Sequence, residues 1–276
     1  MQCPDRKGLV NTITGFIMVN NGNILELEQF VDQGENMFFM RVVWDMDRFK
    51  IHLHDYDKAF DSIAKDLNLK YWINDSGKRD RLALFASKKI HCLAEVILQW
   101  YMGNLNVDIP VIVSNSLEAK DLAEKYSIEF IHTPTEKSDK EKLEKLQLEE
   151  LRKHQIDLVG LARYMRILSG SFVEQYPGRI INIHHSFLPA FAGADPYKQA
   201  HDRGVKIIGA TSHFVTEELD QGPIIAQGTK VVHHGYSVKD LRKTGEEIER
   251  TVFLKALRKY IERKIIRHGN KTIVFE

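Results

Sequence analysis

Between residues 81 and 232, short apolar runs alternate with longer amphipathic stretches, and this alternation limits the fold more than any other feature of the chain. The spacing predicts strands over 81–86, 109–114, 129–132, 157–161, 180–184 and 206–215. It predicts helices over 91–102, 117–126 and 139–154 between the earlier ones. Strands joined through helices run parallel, and such a sheet is buried by helices on both faces. The expected fold class is therefore α/β, with a doubly wound, mostly parallel sheet. Residues 223–232 read as a final strand or hairpin arm, and 237–263 as a long helix packing over the sheet.

The first 77 residues follow a different pattern. Leu9, Ile13, Phe16 and Ile17 fall at helical spacing within a helix over 7–20. Asn20-Asn21-Gly22-Asn23 is a turn, and strands over 24–31 and 36–44 flank the hairpin turn Gln33-Gly34-Glu35. A helix over 49–67 and a closing strand over 70–73 follow. The order α-β-β-α-β needs one leading strand to complete a ferredoxin-like βαββαβ unit. Residues 1–4 supply little of it; a missing strand would leave backbone groups on its neighbours unpaired, so either a partner covers them, the strand is short, or the chain starts further upstream. The polar segment 74–80 is the expected linker, giving domains 1–77 and 81–276.

Bulk properties exclude several classes. A chain of 276 residues holds one large or two ordinary domains. Its net charge of +1 creates no field favouring nucleic acid or an anionic membrane. No apolar run reaches transmembrane length, and Met1-Gln2-Cys3-Pro4-Asp5 is not a signal peptide. Cys3 and Cys92 have no metal-type spacing, so a reducing, cytoplasmic setting with no metal site is expected. In the charged helix, Ser138 is the expected N-cap, Glu141 completes a capping box, and the mixed charges read as a solvated face.

The chemistry concentrates in Ile181-Asn182-Ile183-His184-His185-Ser186-Phe187-Leu188-Pro189, a strand running into a loop. Residues two apart on a strand share a face, which sets Asn182 beside His184. An amide N–H stabilises a developing oxyanion, and an imidazole moves protons near neutrality. Asp220, in Leu219-Asp220-Gln221-Gly222-Pro223, is the candidate acidic partner. By spacing alone, Asn182 and His184 also read as satisfied core polar residues, and Asp220 as a turn residue beside Gly222. Ligands of doubly wound sheets sit outside the carboxyl ends of the strands. Segments 161–168 and 209–214 meet Asn182 and His184 there, with Thr211 and His213 expected to support the site rather than react.

Asn182-Ile183-His184, Ser186-Phe187-Leu188-Pro189, Phe191-Ala192-Gly193, Gly209-Ala210-Thr211 and Asp220-Gln221-Gly222-Pro223-Ile224-Ile225 resemble the signature of folate-dependent formyltransferases. More narrowly, residues 184–191, Gly193-Ala194-Asp195-Pro196-Tyr197, 87–93 and the ending 269–275 are similar to the formyltetrahydrofolate deformylase family. The resemblance spans essentially the whole chain. It implies an N-terminal ACT domain and a formyltransferase-like catalytic domain. It implies hydrolysis of 10-formyltetrahydrofolate to tetrahydrofolate and formate, supplying formate and balancing one-carbon folate pools.

It carries catalytic roles to Asn182, His184 and Asp220. Folate binding falls to Met165, Arg166, Ile167, Leu168, Thr216 and Glu217, and supporting roles fall to His185, Ser186, Thr211 and His213. Folate is then a substrate and no cofactor is permanently bound. ACT-type domains often bind a small amino acid, and Asp5, Gly8, Gly22 and Asn23 match that loop while reading equally as helix-start and turn residues. A homo-oligomer is expected.

Related transformylases pass the formyl group to an amine such as glycinamide ribonucleotide, and need a glycine-rich phosphate cradle. Here the equivalent turn is Ser87-Lys88-Lys89-Ile90-His91, without glycine, and its lysines read as solvated. His185 replaces the proline usual in those transferases, which also favours water as acceptor. The remaining alternative is a folate- or amino-acid-binding regulator with a dead site.

Overall fold

The computed structural model describes residues 1–134, 140–189 and 196–276. The chain divides into two compact units: Met1–Lys78 with Arg263–His268 and Ile273–Glu276, and Arg79–Glu262 with Gly269–Thr272.

In the first unit, β1 (Gln2–Pro4), α1 (Leu9–Val19), β2 (Asn23–Asp32), β3 (Met37–Asp45) and α2 (Tyr56–Leu67) follow in order. The sheet has the order β1-β3-β2 and is antiparallel. Ile13 and Ile17 of α1 are fully buried, as their helical spacing requires. The leading strand exists but is short. Gln2 exchanges backbone hydrogen bonds of 2.7 and 2.9 Å with Lys70, so it pairs on both sides.

Two expectations need correction here. Residues 49–52 are not helical: a 3-10 turn, Leu53–Asp55, leads into α2. The closing strand expected over 70–73 reduces to the single bridge between Gln2 and Lys70, because three-residue β1 offers little to pair with. A third correction concerns the boundary at the far end. The hairpin arms β11 (Ile265–His268) and β12 (Lys271–Val274) fall largely in the first unit rather than the second. Ile266 and Phe275 are buried against Phe39, and His268 lies 2.7 Å from Glu35.

The second unit contains β4 (Asp80–Ala86), α3 (His91–Tyr101), β5 (Val107–Ser114), α4 (Lys120–Lys125), β6 (Glu129–His132), α5 (Lys140–Lys153) and β7 (Leu158–Ala162). Then come α6 (Gly170–Gln175), β8 (Ile180–His184), α7 (Pro196–Asp202), β9 (Ile207–Phe214), β10 (Ile224–Val231) and α8 (Val238–Ile261). The sheet order is β10-β9-β8-β7-β4-β5-β6. The five strands from β8 to β6 are parallel, β9 is antiparallel to β8, and β10 is antiparallel to β9. β9 and β10 are joined by a loop without a helix, as an antiparallel pair allows.

Successive strand residues serve opposite faces. Ala83, Phe85, Val111, Val113, Val159 and Leu161 pack against Leu151 of α5 and Phe172 of α6. On the other face a Cβ at Gly160 would lie 3.2 Å from the Phe253 ring of α8, so glycine sets how close that helix approaches. Burying a ring such as Phe253 contributes roughly 1.5–3 kcal/mol. Helix α8 opens with Ser237, whose hydroxyl accepts from the Asp240 N–H while the Asp240 carboxylate accepts from the Ser237 N–H.

Helix α5 departs from the solvated reading. Glu144, Gln147 and Leu151 are buried on one face. Glu144 accepts from the Ser169 N–H at 2.9 Å and also bonds the Ser169 hydroxyl. Gln147 donates to Thr133 and Tyr164 at 3.2 Å. The charge pattern hides this face because its buried members are themselves polar. The expected cap, Ser138, lies outside the described residues, as do 190–195. Among the described residues no helix is long and apolar enough to cross a membrane.

Candidate active site

Strand β8 places Asn182 and His184 on one face, and antiparallel β9 sets His213 opposite Asn182 and Thr211 opposite His184. The Asn182 side-chain nitrogen lies 3.2 Å from Nε2 of His213, whose Nδ1 donates to the Phe214 carbonyl at 2.9 Å. With a proton on Nδ1, Nε2 accepts from the amide and fixes its orientation.

Asp220 comes from the loop between β9 and β10, which folds back onto this face. A Cβ at Gly222 would fall 1.8 Å from the Phe214 carbonyl oxygen, so only glycine permits that approach. The Phe214 N–H donates to the Pro223 carbonyl at 2.9 Å and closes the loop base. Asp220 itself has a φ of 56°, in the left-handed region that Asp tolerates better than most residues. Its carboxylate reaches Nδ1 of His184 at 3.3 Å and Nε2 of His213 at 3.6 Å. The His184 contact holds the Asp220 carboxyl well below the usual carboxylate range despite partial burial. Nε2 of His184 is buried and has no hydrogen-bond partner among the described residues.

The structure thus brings Asn182, His184, Asp220 and His213 together. Thr211 braces the strand exit: its hydroxyl donates to the Ser186 carbonyl and accepts from the Leu188 N–H, both at 3.0 Å. Gln227, which the sequence reasoning does not single out, donates to Thr211 and to the Leu188 carbonyl at 3.1 Å. The peptide between Leu188 and Pro189 is cis. His185 stacks on His184 with ring centroids 5.1 Å apart. Burial, then the Arg163 charge and His184, lowers the His185 pKa to about 4. Ser186 is buried, and its hydroxyl has no partner among the described residues.

Glu217 also approaches the stretch just beyond Leu168. A Cβ at Gly170, two residues beyond Leu168, would lie 3.6 Å from Cγ of Glu217. Met165, Arg166, Ile167, Thr216 and Glu217 are exposed, while Leu168 packs against the sheet core. The Met165 N–H donates to the Ser87 hydroxyl at 3.0 Å, tying the exit of β7 to that of β4. In the first unit, Gly8 has a φ of 91° at the start of α1, and a Cβ at Gly22 would meet Ile17 at 2.5 Å. Both glycines therefore have local structural reasons, while Asn23 is exposed and Asp5 half-buried.

A second polar cluster, centred on Glu249 of α8, escaped the sequence reasoning. One Glu249 oxygen lies 2.7 Å from Nε2 of His91 and 3.2 Å from Nε of Arg163. The other accepts from the Tyr197 hydroxyl at 2.6 Å. Burial alone would raise the Glu249 carboxyl, but the His91 bond, the Arg163 charge and the Tyr197 hydroxyl hold it below its ordinary value. His91, Cys92 and Glu249 bring ligand atoms within 4.8 Å of one another, as do exposed Glu129 with Glu150 and His154. The first group suits a cation poorly. A guanidinium already neutralises Glu249, and burial pushes the Cys92 thiol well up, keeping it protonated. The signal that could have found this cluster is Gly245, one turn before Glu249, since glycine inside a helix often marks close packing.

Comparison with known proteins agrees with this fold. The family model for formyl transferase matches residues 80–257. A formyltetrahydrofolate deformylase from Bacillus subtilis is 42% identical over 100% of this chain and 92% of its own length. One from Synechocystis is 43% identical over 100% and 96%. The crystal structure of a formyltetrahydrofolate deformylase from Pseudomonas syringae superposes with a TM-score of 0.96 at 40% identity, covering 100% of this chain and 92% of that one. With its formyl transferase domain and with relatives matched over 92% or more of their lengths, the chain belongs to the formyltetrahydrofolate deformylase family.

Proposed function

We propose that Asn182, His184 and Asp220 hydrolyse 10-formyltetrahydrofolate to tetrahydrofolate and formate. One observation carries the assignment. A carboxylate held ionised sits 3.3 Å from one nitrogen of His184, while the other nitrogen is buried without a partner. Asp220 takes the Nδ1 proton of His184 as a hydrogen bond, which leaves the Nε2 lone pair to receive a proton.

The steps balance without a further reactant. Water adds its oxygen to the formyl carbon and gives a proton to Nε2 of His184. Asp220 stabilises the imidazolium that results. The former carbonyl oxygen becomes an oxyanion. Asn182 meets it with the amide hydrogen not committed to His213, a contribution of about 3–4 kcal/mol. The carbon–N10 bond then breaks, its electron pair stays on N10, and His184 returns the proton there. Formic acid leaves and ionises to formate. Proton transfer through His184 contributes on the order of 10²–10⁴-fold.

Met165, Arg166, Ile167 and Leu168, with Thr216 and Glu217, form the folate seat, supported by the approach of Glu217 to Gly170. Exposed Met165, Ile167 and Leu219 offer apolar surface to an aromatic ring. The first unit is an ACT domain, supported by its antiparallel sheet and by the bridge that places Lys70 beside β1. A small amino acid bound near Asp5, Gly8, Gly22 and Asn23 regulates a cytoplasmic homo-oligomer that keeps no permanent cofactor and supplies formate to one-carbon metabolism and purine synthesis. Incubation with 10-formyltetrahydrofolate tests the reading: formate appears without any added amine. Consumption only in the presence of an amine would replace hydrolysis by transfer.

A further inference from the structure

The Glu249 cluster stands where a doubly wound fold ordinarily takes a ligand. From β4 the chain proceeds to β5 and β6 on one side and returns to β7 and β8 on the other, so the crevice lies outside the ends of β4 and β7. His91 opens the helix after β4, and Arg163 is the first residue after β7. Both turn onto Glu249, which is fully buried. Tyr197 completes the seal, and its hydroxyl would sit 2.0 Å from a Cβ at Gly245. The packing is obtained at some backbone cost, because Arg163 has a φ of 61°, which glycine adopts freely and arginine does not.

The cluster abuts the reacting groups. His185 stacks on His184 at 5.1 Å and approaches the Tyr197 ring at 6.2 Å. A transferase of this architecture has to admit an acceptor amine beside the formyl carbon. Here Arg163, His91, Tyr197 and Glu249 pack on one another by the exits of β4 and β7, with His185 between Tyr197 and His184.

We infer that these four side chains determine specificity by filling the acceptor crevice, so that water reaches the formyl carbon and an amine does not. The inference rests on hydrolysis at Asn182, His184 and Asp220. With the crevice opened, an amine nitrogen would bond to the formyl carbon and lose a proton. The carbon–N10 bond would break with protonation of N10, yielding a formamide and tetrahydrofolate in place of formate.

The test uses the full-length enzyme, 10-formyltetrahydrofolate and glycinamide as the probe amine, with formate and formylglycinamide both measured. Arg163→Gly removes the side chain at a position whose backbone suits glycine. His91→Ala opens the other wall while leaving the Arg163–Glu249 pair intact, so a folded variant is available even where the first is unstable. The wild type is expected to give formate alone. Each folded variant is expected to raise the ratio of formylglycinamide to formate at least about tenfold, the discrimination that one filled or emptied contact supports. Folded variants that release formate at the wild-type ratio would overturn the inference alone. A wild type that releases no formate would overturn the hydrolytic reading, and this inference with it.

Discussion

Two carboxylates of the second unit sit in nearly the same electrostatic setting and have opposite fates. Asp220 lies between two imidazoles and Glu249 between an imidazole and a guanidinium, and both carboxyls are held below their ordinary values. The difference is access. The Asp220 side chain keeps 22% of its surface exposed and comes from a loop; that of Glu249 keeps 1% and comes from the middle of a helix. Asp220 also faces a histidine with a nitrogen to spare, whereas both Glu249 oxygens are engaged inside the fold. A paired buried charge is a structural element; a paired charge beside an unsatisfied base is a reacting one.

The contrast predicts opposite consequences for substitutions on the two sides. Asn182→Ala, on the reacting side, should lower kcat by about 10²–10³-fold with little change in urea midpoint, because one oxyanion donor is lost. Steady-state formate release and urea titration check the two halves. Glu249→Gln, on the sealed side, should do the reverse. It leaves half-buried Arg163 without its counter-charge, at a cost of about 3 kcal/mol in unfolding free energy. The remaining folded enzyme should still turn over. A stable Glu249→Gln enzyme lacking activity would break the comparison.

The smallest effect concerns the residue between the two clusters. The folded-state pKa of His185 lies near 4, below its ordinary 6.5. As pH falls below 6.5 the unfolded chain takes up the proton first, so stability is full above that value and declines toward pH 4. In His185→Asn that part of the decline should vanish, read as a flatter dependence of urea midpoint on pH between 6.5 and 4.

Much of the molecule is readable from residue order because local and global signals coincide. The alternating runs from 81 onward correspond to strands and helices, and period-two spacing puts Asn182 beside His184. Gly222 flagged a tight loop, and its reason is the Phe214 carbonyl against which it packs. What stayed hidden is what lacks a period. Glu249 sits among Glu246, Glu247 and Arg250, and nothing in its spacing marks it until His91, Arg163 and Tyr197 converge on it. Glu144 is concealed in the same way by its charged neighbours. Helices α6 and α7 span only six and seven residues, too short for a hydrophobic repeat to declare itself. The pairing of His213 with both Asn182 and Asp220 depends on the register of β8 against β9, which turn spacing alone does not fix.

The account stands or falls on the ionised carboxylate beside His184. Asp220→Asn keeps the size of the side chain and removes its charge. Formate release from 10-formyltetrahydrofolate should fall by about 10²–10⁴-fold, with the far-UV circular dichroism spectrum unchanged. Turnover within a few-fold of wild type in a normally folded Asp220→Asn enzyme would contradict it.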